Sequence, residues 1–281
     1  MFQRAIICTD LSPSSDSIVA CAGALGVLGV REAILTHIID IAEGMPSSAR
    51  RDVDALFGRQ ARDLETAGIR VKVDTSVGYP SYAIEEVAER HDADLIVIGS
   101  HRKGLFATTF SGSVSSDVVR ISTRPVLLAV LAALGSNESS QAVCARLLHH
   151  VLAPLDSSPG SEVVAQYLLA LAGRGLVSAD LLHVMSDADN TARRRAMSDE
   201  LEGLALALTD AGVHVMTQIV RGDPGKEVAQ RASAGHHTLV VLAPRCESNT
   251  GYPLGSVTHA VIQATAAPAL LIPPNCRRRP G

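Results

Sequence analysis

The amino-acid sequence repeats itself once, and this repeat limits the possible folds more than any other feature. An apolar run that ends in Asp10-Leu-Ser-Pro13 returns 146 residues later and ends in Asp156-Ser-Ser-Pro159. Four further landmarks recur in the same order at offsets of 143 to 146 residues: Leu35–Ile39 with Leu181–Met185, Gly78 with Gly222, Gly112–Val114 with Gly255–Val257, and Arg124–Leu128 with Ala267–Leu271. We therefore expect the 281 residues to form two copies of one domain, each of ordinary domain size.

Each copy alternates short β-type runs with longer helical segments, which is typical of a parallel α/β sheet. The pattern in copy one predicts strands near residues 4–9, 33–39, 69–75, 94–99 and 125–130, and helices near residues 13–28, 48–67, 80–91 and 112–122. Residues are 47% hydrophobic but only 3% aromatic, so the cores are built from aliphatic side chains, as in buried parallel strands. The polar segment Gly135–Ser140 predicts a linker, with domains over residues 1–134 and 147–281.

Charge and hydropathy exclude several classes of partner. A net charge of -4 offers no basic surface for a nucleic acid, so we expect none as a partner. The longest apolar stretch, Pro125–Leu134, has about half the length of a membrane span, and the first residues do not resemble a signal peptide. We therefore expect a cytoplasmic protein with no membrane partner. The five cysteines are scattered without close pairs, which predicts reduced, structural thiols.

The residues that follow two strands of copy one predict a ligand site. Ligands of open parallel sheets bind beyond the carboxyl ends of the strands, where Asp10 follows strand one. Its carboxylate is placed either to bind a ribose or amino group or to cap a turn. The segment Gly99-Ser-His101-Arg102-Lys-Gly104 follows strand four, and Gly112-Ser113 opens the next helix. Glycines let backbone N–H groups approach an anion and the helix N-terminus adds oriented amides, so the segment predicts a phosphate site.

These residues resemble the universal stress protein family. The likeness is carried by Asp10, by the pair His37-Ile38 on strand two and by the glycine pattern after strand four. In the ATP-binding branch of the family that pattern is Gly, two residues, Gly, nine residues, then Gly-Ser or Gly-Thr. Gly99 and Gly112-Ser113 match it, whereas Arg102 stands at the second glycine. The resemblance extends over both copies and implies two tandem Rossmann-like α/β domains, each a five-stranded parallel sheet of order 3-2-1-4-5.

The resemblance also implies an adenine nucleotide as the ligand of copy one: ATP, with or without Mg²⁺. Asp10 would hold the adenosine, and the backbone of Ile38 would contact the adenine edge. The channel for ribose and phosphates would be lined by Gly99, His101, Gly112, Ser113, Val114 and Ser115. Two roles stay open for Arg102, which either blocks the β-phosphate or pairs with it as a charged donor.

Copy two departs further from the family pattern. Ala243 and Cys246 replace the two glycines, and Pro244 removes a backbone donor. Four positions still match: Asp156, Val184, Gly255 and Ser256. We expect copy two to bind nucleotide poorly or not at all and to have a structural or regulatory role.

Three functions follow from these residues. The first is a nucleotide-responsive stress protein without committed chemistry; a slow ATP hydrolase that uses His101 and a nucleotide-free scaffold are the alternatives. The pairs His149-His150 and His236-His237 are interpreted as linker or surface residues, because neighbours in a strand face opposite sides. The last strands of the two copies are expected to pack together as an intramolecular pseudo-dimer, since single-domain relatives dimerise through this edge, and a homodimer of tandem chains stays open.

Overall fold

The chain forms two units, Met1–Ala145 and Arg146–Gly281. A computed structural model describes residues 1–41, 50–100, 114–130, 140–186, 190–234, 236–244, 254–265 and 267–274. Both units alternate strands with helices, as the sequence pattern predicts. Of the predicted linker, Ser140 begins a helix and residues 135–139 lie outside the described ranges.

Unit 1 is built around five parallel strands. Its strands are β1 (Arg4–Cys8), β2 (Glu32–Asp40), β3 (Arg70–Gly78), β4 (Leu95–Ser100) and β5 (Val126–Val130). Its α-helices are α1 (Pro13–Ala22), α2 (Arg50–Thr66), α3 (Pro80–Arg90), α4 (Val114–Ile121) and α5 (Ser140–Ala145), and a 3-10 helix covers Gly23–Leu28. The strand order is β3-β2-β1-β4-β5, with parallel pairing throughout.

Unit 2 repeats this arrangement. Its strands are β6 (His150–Pro154), β7 (Ser178–Met185), β8 (His214–Arg221), β9 (Leu239–Leu242) and β10 (Ala269–Leu271). Its described helices are α6 (Pro159–Ala172), α7 (Thr191–Asp210), α8 (Pro224–Ser233) and α9 (Ser256–Ala264). The order β8-β7-β6-β9-β10, again parallel, is 3-2-1-4-5 in the numbering of a single copy. The predicted fold class is therefore confirmed.

Local sequence signals explain where several helices begin. Proline, whose missing N–H has no partner in the first helical turn anyway, stands at the first position of α1, α3, α6 and α8. Ser158 caps α6 by accepting the N–H of Ser161, and Asp223 caps α8 by accepting the N–H of Lys226. The helices α1 and α6, which follow β1 and β6, therefore start close to the carboxyl ends of these strands.

The central strands are apolar because both of their faces are covered. Ala5, Ile6 and Ile7 of β1 are fully buried, and all four residues of β9 are buried. Such continuous apolar strands are expected of parallel sheets with helices on both sides. Among the described residues, no helix combines the length and apolarity that crossing a bilayer requires.

Two cysteines depart from the sequence-based expectation. Cys21 on α1 and Cys144 on α5 form a disulfide, with their Cα atoms 5.2 Å apart, so the prediction of reduced thiols is wrong for this pair. The two residues are 123 positions apart, and their proximity arises only when α5 packs on α1. Cys8 is a free thiol, and burial raises its pKa to about 12.

Candidate functional site

The topology of unit 1 leaves a crevice at the carboxyl end of β1. β1 pairs with β2 on one side and with β4 on the other, and the chain continues outward from it in both directions. This is the point of an open α/β sheet at which ligands bind. We therefore expect a ligand of unit 1 to lie beside the residues that follow β1, the second half of β2 and the end of β4.

A tight turn after β1 presents Asp10 at this crevice. Asp10 is exposed, and its Oδ1 accepts the N–H of Ser12 at 3.0 Å. Leu11 has a φ of 62°, a left-handed conformation that is uncommon for a side chain of this size. The hydroxyls of Thr9 and Ser15 bond to each other at 2.9 Å, and the Thr9 hydroxyl accepts the N–H of Leu11. The turn is thus held by its own hydrogen bonds.

The described residues contain five of the nine predicted site positions. Asp10 is exposed, Ile38 on β2 and Gly99 on β4 are half-buried, Val114 begins α4 and is exposed, and Ser115 is half-buried. The strand order brings the first three to neighbouring strands at the same edge of the sheet. The remaining positions, His101, Arg102, Gly112 and Ser113, lie outside the described residues.

The turn after β6 in unit 2 has the same backbone but a different carboxylate environment. Ser157 has a φ of 58°, and Asp156 Oδ1 accepts the N–H of Ser158 at 3.1 Å. In this copy Leu155 replaces Thr9, and Ser161, the counterpart of Ser15, bonds to Asp156 instead. Its hydroxyl donates to Asp156 Oδ1 and accepts the Asp156 N–H, both at 2.8 Å. Asp156 is also less exposed than Asp10.

A cavity of about 420 Å³ lies at the carboxyl ends of the unit 2 strands. Its volume falls within the usual range of small-molecule sites, roughly 300 to 1,000 Å³. All four unit 2 positions that match the sequence pattern line it: Asp156, Val184, Gly255 and Ser256. Arg193 is exposed and also lines this cavity.

One histidine of each copy makes the same bond beside its crevice. His37 Nδ1 lies 3.0 Å from the carbonyl oxygen of Thr9, and His183 Nδ1 lies 2.8 Å from that of Leu155. Because a carbonyl only accepts, Nδ1 carries the proton in both rings. Each histidine ties the second strand of its copy to the turn after the first. His183 also lines the unit 2 cavity, and its buried Nε2 has no hydrogen-bond partner in the described part of the chain.

Comparison with known proteins identifies the family of this chain. The sequence pattern of the universal stress protein family matches the chain twice, over residues 1–129 and 148–273. The chain belongs to the universal stress protein family. Two matches, one to each unit, make it a tandem member.

Individual relatives agree with this assignment. Universal stress protein Rv2005c of Mycobacterium tuberculosis is 28% identical over 234 residues, which are 79% of this chain and 76% of that protein. Universal stress protein MJ0577 of Methanocaldococcus jannaschii is 27% identical over 153 residues, 46% of this chain and 94% of the relative. The crystal structure of a universal stress protein from Archaeoglobus fulgidus has a TM-score of 0.77 and 21% identity, and the match covers 96% of both chains. This last likeness supports the fold.

Sequence reasoning missed a cluster at the other end of unit 2. One histidine from each adjacent pair, His150 and His237, contacts Asp180. His150 belongs to β6 and the His237 side chain is only 7% exposed, so the interpretation as linker or surface residues is wrong for these two. Within each pair the two side chains diverge, and only the fold brings one histidine of each pair to the same carboxylate. The available signal was Asp180 itself, a carboxylate in the strand position that Ile34 occupies in copy one.

Proposed function

We propose that this universal stress protein binds an adenine nucleotide, ATP in the first place, in the crevice of unit 1. The observation that carries the proposal is the exposed Asp10 on its self-bonded turn, at the switch point between β1 and β4. Asp10 would accept hydrogen bonds from the adenosine, and the backbone near Ile38 would contact the base. Gly99 on β4 and Ser115 in the first turn of α4 border the place where phosphates would lie.

The sequence of the phosphate loop supports the same ligand. Gly99 and Gly112-Ser113 retain the spacing of the ATP-binding branch, and α4 begins directly after Ser113. A helix N-terminus contributes oriented N–H groups and a positive dipole end, both of which favour a phosphate. Within this proposal Mg²⁺ accompanies ATP as a counter-ion of the phosphates, and unit 1 acts by binding rather than by a committed reaction.

The nucleotide that purified protein carries tests this proposal. Full-length protein is freed of small molecules, denatured, and the supernatant is analysed for nucleotides; a second sample is first incubated with ATP and Mg²⁺. We expect ATP or ADP in a ratio approaching one per chain in the second sample. Absence of bound nucleotide in both samples would contradict the proposal and favour the scaffold. Steady phosphate release from added ATP would favour the hydrolase.

The unit 2 cavity supports a second binding function, for a ligand without a polyphosphate. Pro244 lacks the N–H that the family places after strand four, and Asp156 is already held by Ser161. The cavity nevertheless has the volume of a ligand site, and the buried Nε2 of His183 is an acceptor without a partner in the described chain. We infer that unit 2 favours a nucleoside-sized molecule that donates a hydrogen bond to His183. Adenosine binding by an Asp10→Ala protein, whose ATP binding is weakened, tests this role; failure of that protein to bind adenosine would contradict it.

A further inference from the structure

Three metal-ligating side chains meet in unit 2, at the opposite end of its strands from the crevice. His150 begins β6, Asp180 is the third residue of β7, and His237 lies two residues before β9. His150 Nε2 is 3.0 Å from Asp180 Oδ1, and His237 Nε2 is 3.0 Å from Asp180 Oδ2. One ligand atom from each of the three residues lies within 4.8 Å of the other two. The three groups thus converge on a volume of the size of one ion.

Packing alone does not account for this cluster, because unit 1 has apolar residues at the positions that correspond to Asp180 and His237. In the register of the two sheets, Asp180 corresponds to Ile34, which pairs beside β1 as Asp180 does beside β6. His237 corresponds to Ala93, since each precedes the residue whose N–H bonds to the first strand. Ile34 and Ala93 are fully buried. Placing a carboxylate in such a site carries a desolvation penalty that an apolar residue avoids.

The backbone holds the two histidines in place. Thr238, next to His237, donates its N–H to the carbonyl of His150 at 2.8 Å. The Thr238 hydroxyl accepts the N–H of His150 at 2.9 Å. These two bonds hold the start of β6 against the segment before β9. Both imidazoles are therefore attached to hydrogen-bonded backbone at the amino ends of neighbouring strands. A site on such a scaffold is largely formed before a ligand arrives.

Burial and charge make the cluster suited to a cation. The side chains of His237, Asp180 and His150 are 7%, 20% and 32% exposed, so only the His150 side opens to solvent. Asp180 places a carboxylate between the two imidazoles, with an oxygen 3.0 Å from the Nε2 atom of each. Among the described residues, Asp180 is the one polar partner of the His237 ring, whose Nδ1 is unpartnered.

We propose that His150, Asp180 and His237 bind a divalent transition-metal ion, Zn²⁺ by preference. Two imidazole nitrogens and one carboxylate oxygen are donors that zinc uses in proteins, with bonds of about 2.0 to 2.2 Å. Ligand atoms around a tetrahedral zinc are then roughly 3.3 Å apart, so the three ligand atoms, which now lie within 4.8 Å of one another, need only small shifts to bind one ion. Each neutral imidazole binds through Nε2 after its proton has moved to Nδ1. A water completes the coordination on the exposed side.

The donor set and its position define what the ion does. Mg²⁺ and Ca²⁺ prefer oxygen ligands, so a site with two imidazoles selects against them. The three ligands come from β6, β7 and the segment before β9, and a bound ion therefore cross-links three neighbouring strands of unit 2. Because the unfolded chain lacks this arrangement, the ion stabilises the folded state of unit 2.

Zinc titration of the full-length chain tests the site. Protein stripped with a chelator is titrated with Zn²⁺ against a chromophoric competitor, and Co²⁺ absorption reports the coordination geometry. We expect one tight equivalent, an intense four-coordinate Co²⁺ spectrum and a rise in the unfolding temperature on adding Zn²⁺. The variant Asp180→Ile/His237→Ala, which installs the residues of copy one, should lose all three responses.

Matched controls separate this site from the other histidines of the chain. The exposed neighbours His149 and His236 are each replaced by Ala, which removes a histidine but leaves the cluster intact. Both controls should bind Zn²⁺ like the wild type. His150→Ala removes the least buried ligand and should weaken binding by at least about 10-fold even if the double variant fails to fold. Equal zinc affinity in wild type and His150→Ala, or equal losses in the control variants, would overturn the proposal.

Discussion

Gly160 at the start of α6 lies directly against Ala243 after β9: a Cβ atom on Gly160 would be only 2.7 Å from the Ala243 Cβ. Unit 1 has Ser14 and Gly99 at the corresponding positions. In copy two the glycine therefore stands on the helix, and in copy one it stands at the strand end. The loss of the family glycine at position 243 is compensated by a gain of glycine at position 160. The two differences between the copies, at positions 160 and 243, are therefore coupled.

This relationship predicts a non-additive pair of substitutions. Gly160→Ala should lower the free energy of unfolding of unit 2 by about 1 to 3 kcal/mol, because two Cβ atoms cannot share this space without backbone movement. Adding Ala243→Gly should restore most of that loss. Urea denaturation of the wild type, both single variants and the double variant measures the coupling. Additive effects would show that the two residues do not compete for space.

The strand pattern and helix starts of this fold could be predicted from the sequence because they depend on neighbouring residues. All five strand starts in unit 1 lie within one residue of their predicted positions. Apolar runs mark buried strands, and the Ser-Pro pairs at positions 12–13 and 158–159 mark helix starts. The repeat then fixes the second sheet once the first is known.

The missed features all depend on contacts between distant residues. The Cys21–Cys144 disulfide needs the packing of α5 on α1, which no local pattern encodes. The histidine cluster forms only when β6, β7 and the segment before β9 lie side by side. Each histidine pair by itself looks like a pair of surface residues. For the candidate site, Asp10 was recognisable because it follows a strand and repeats as Asp156. The hydroxyl of Ser15 bonds to Thr9, whereas that of Ser161 bonds to Asp156, because Leu155 at the position of Thr9 has no hydroxyl.

Glu32 at the start of β2 predicts acid sensitivity of unit 1. Its buried carboxylate contacts Lys72 and Arg4 at 3.0 Å and Arg70 at 3.6 Å. The pKa of Glu32 is lowered mainly by the hydrogen bond from Lys72. The charges of all three cations lower it further, and burial, which acts to raise the pKa, only partly offsets these effects. A lowered pKa in the folded state means that Glu32 stabilises the fold above its unfolded pKa, about 4.3, and that this contribution is lost as pH falls through the folded pKa.

The variant Glu32→Gln measures this contribution. At neutral pH it should be less stable than the wild type by about 1 to 2 kcal/mol, a moderate value because the cations are largely solvated. The difference should shrink as the pH falls below about 4.3. The exposed Glu65→Gln serves as the control and should change little. A stability difference that stays constant from neutral to acid pH would contradict the assigned role.

The disulfide predicts that unit 1 is weakened by reduction. Cys144→Ser should lower its free energy of unfolding by about 2 to 4 kcal/mol, since the cross-link no longer restricts the unfolded chain. A reductant should lower the stability of the wild type to that of the variant and leave the variant itself unchanged. Thermal unfolding with and without reductant checks both statements. Equal stability of oxidised and reduced wild-type protein would contradict a stabilising role.

The proposed nucleotide site leaves two roles open for Arg102, which either pairs with phosphate or blocks the channel. If its guanidinium pairs with phosphate, Arg102→Ala should weaken ATP binding by roughly 1.5 to 3 kcal/mol and leave adenosine binding nearly unchanged. We expect this result, because a cation beside helix-terminal amides is better tolerated when an anion is bound. Tighter ATP binding by Arg102→Gly would show instead that the side chain blocks the channel. Calorimetry with ATP and adenosine on both variants distinguishes the two.

The pairing of the two copies through their last strands stays a prediction. The segments concerned are Pro125–Val130 and Pro268–Ile272. A charged substitution at an edge strand should separate the copies if these edges meet. Cross-linking of cysteines introduced into the two strands of the full-length chain tests this expectation, and failure of every such pair to cross-link would contradict it.

Nucleotide binding by unit 1 is tested most directly by ATP calorimetry on full-length Asp10→Ala and Asp156→Ala proteins. The two variants are matched, because each loses the same bond to the N–H two residues later. We expect Asp10→Ala to weaken ATP binding by about 10-fold or more, the equivalent of one hydrogen bond to a charged group, and Asp156→Ala to bind ATP like the wild type. Loss of ATP binding in Asp156→Ala with retention in Asp10→Ala would contradict it.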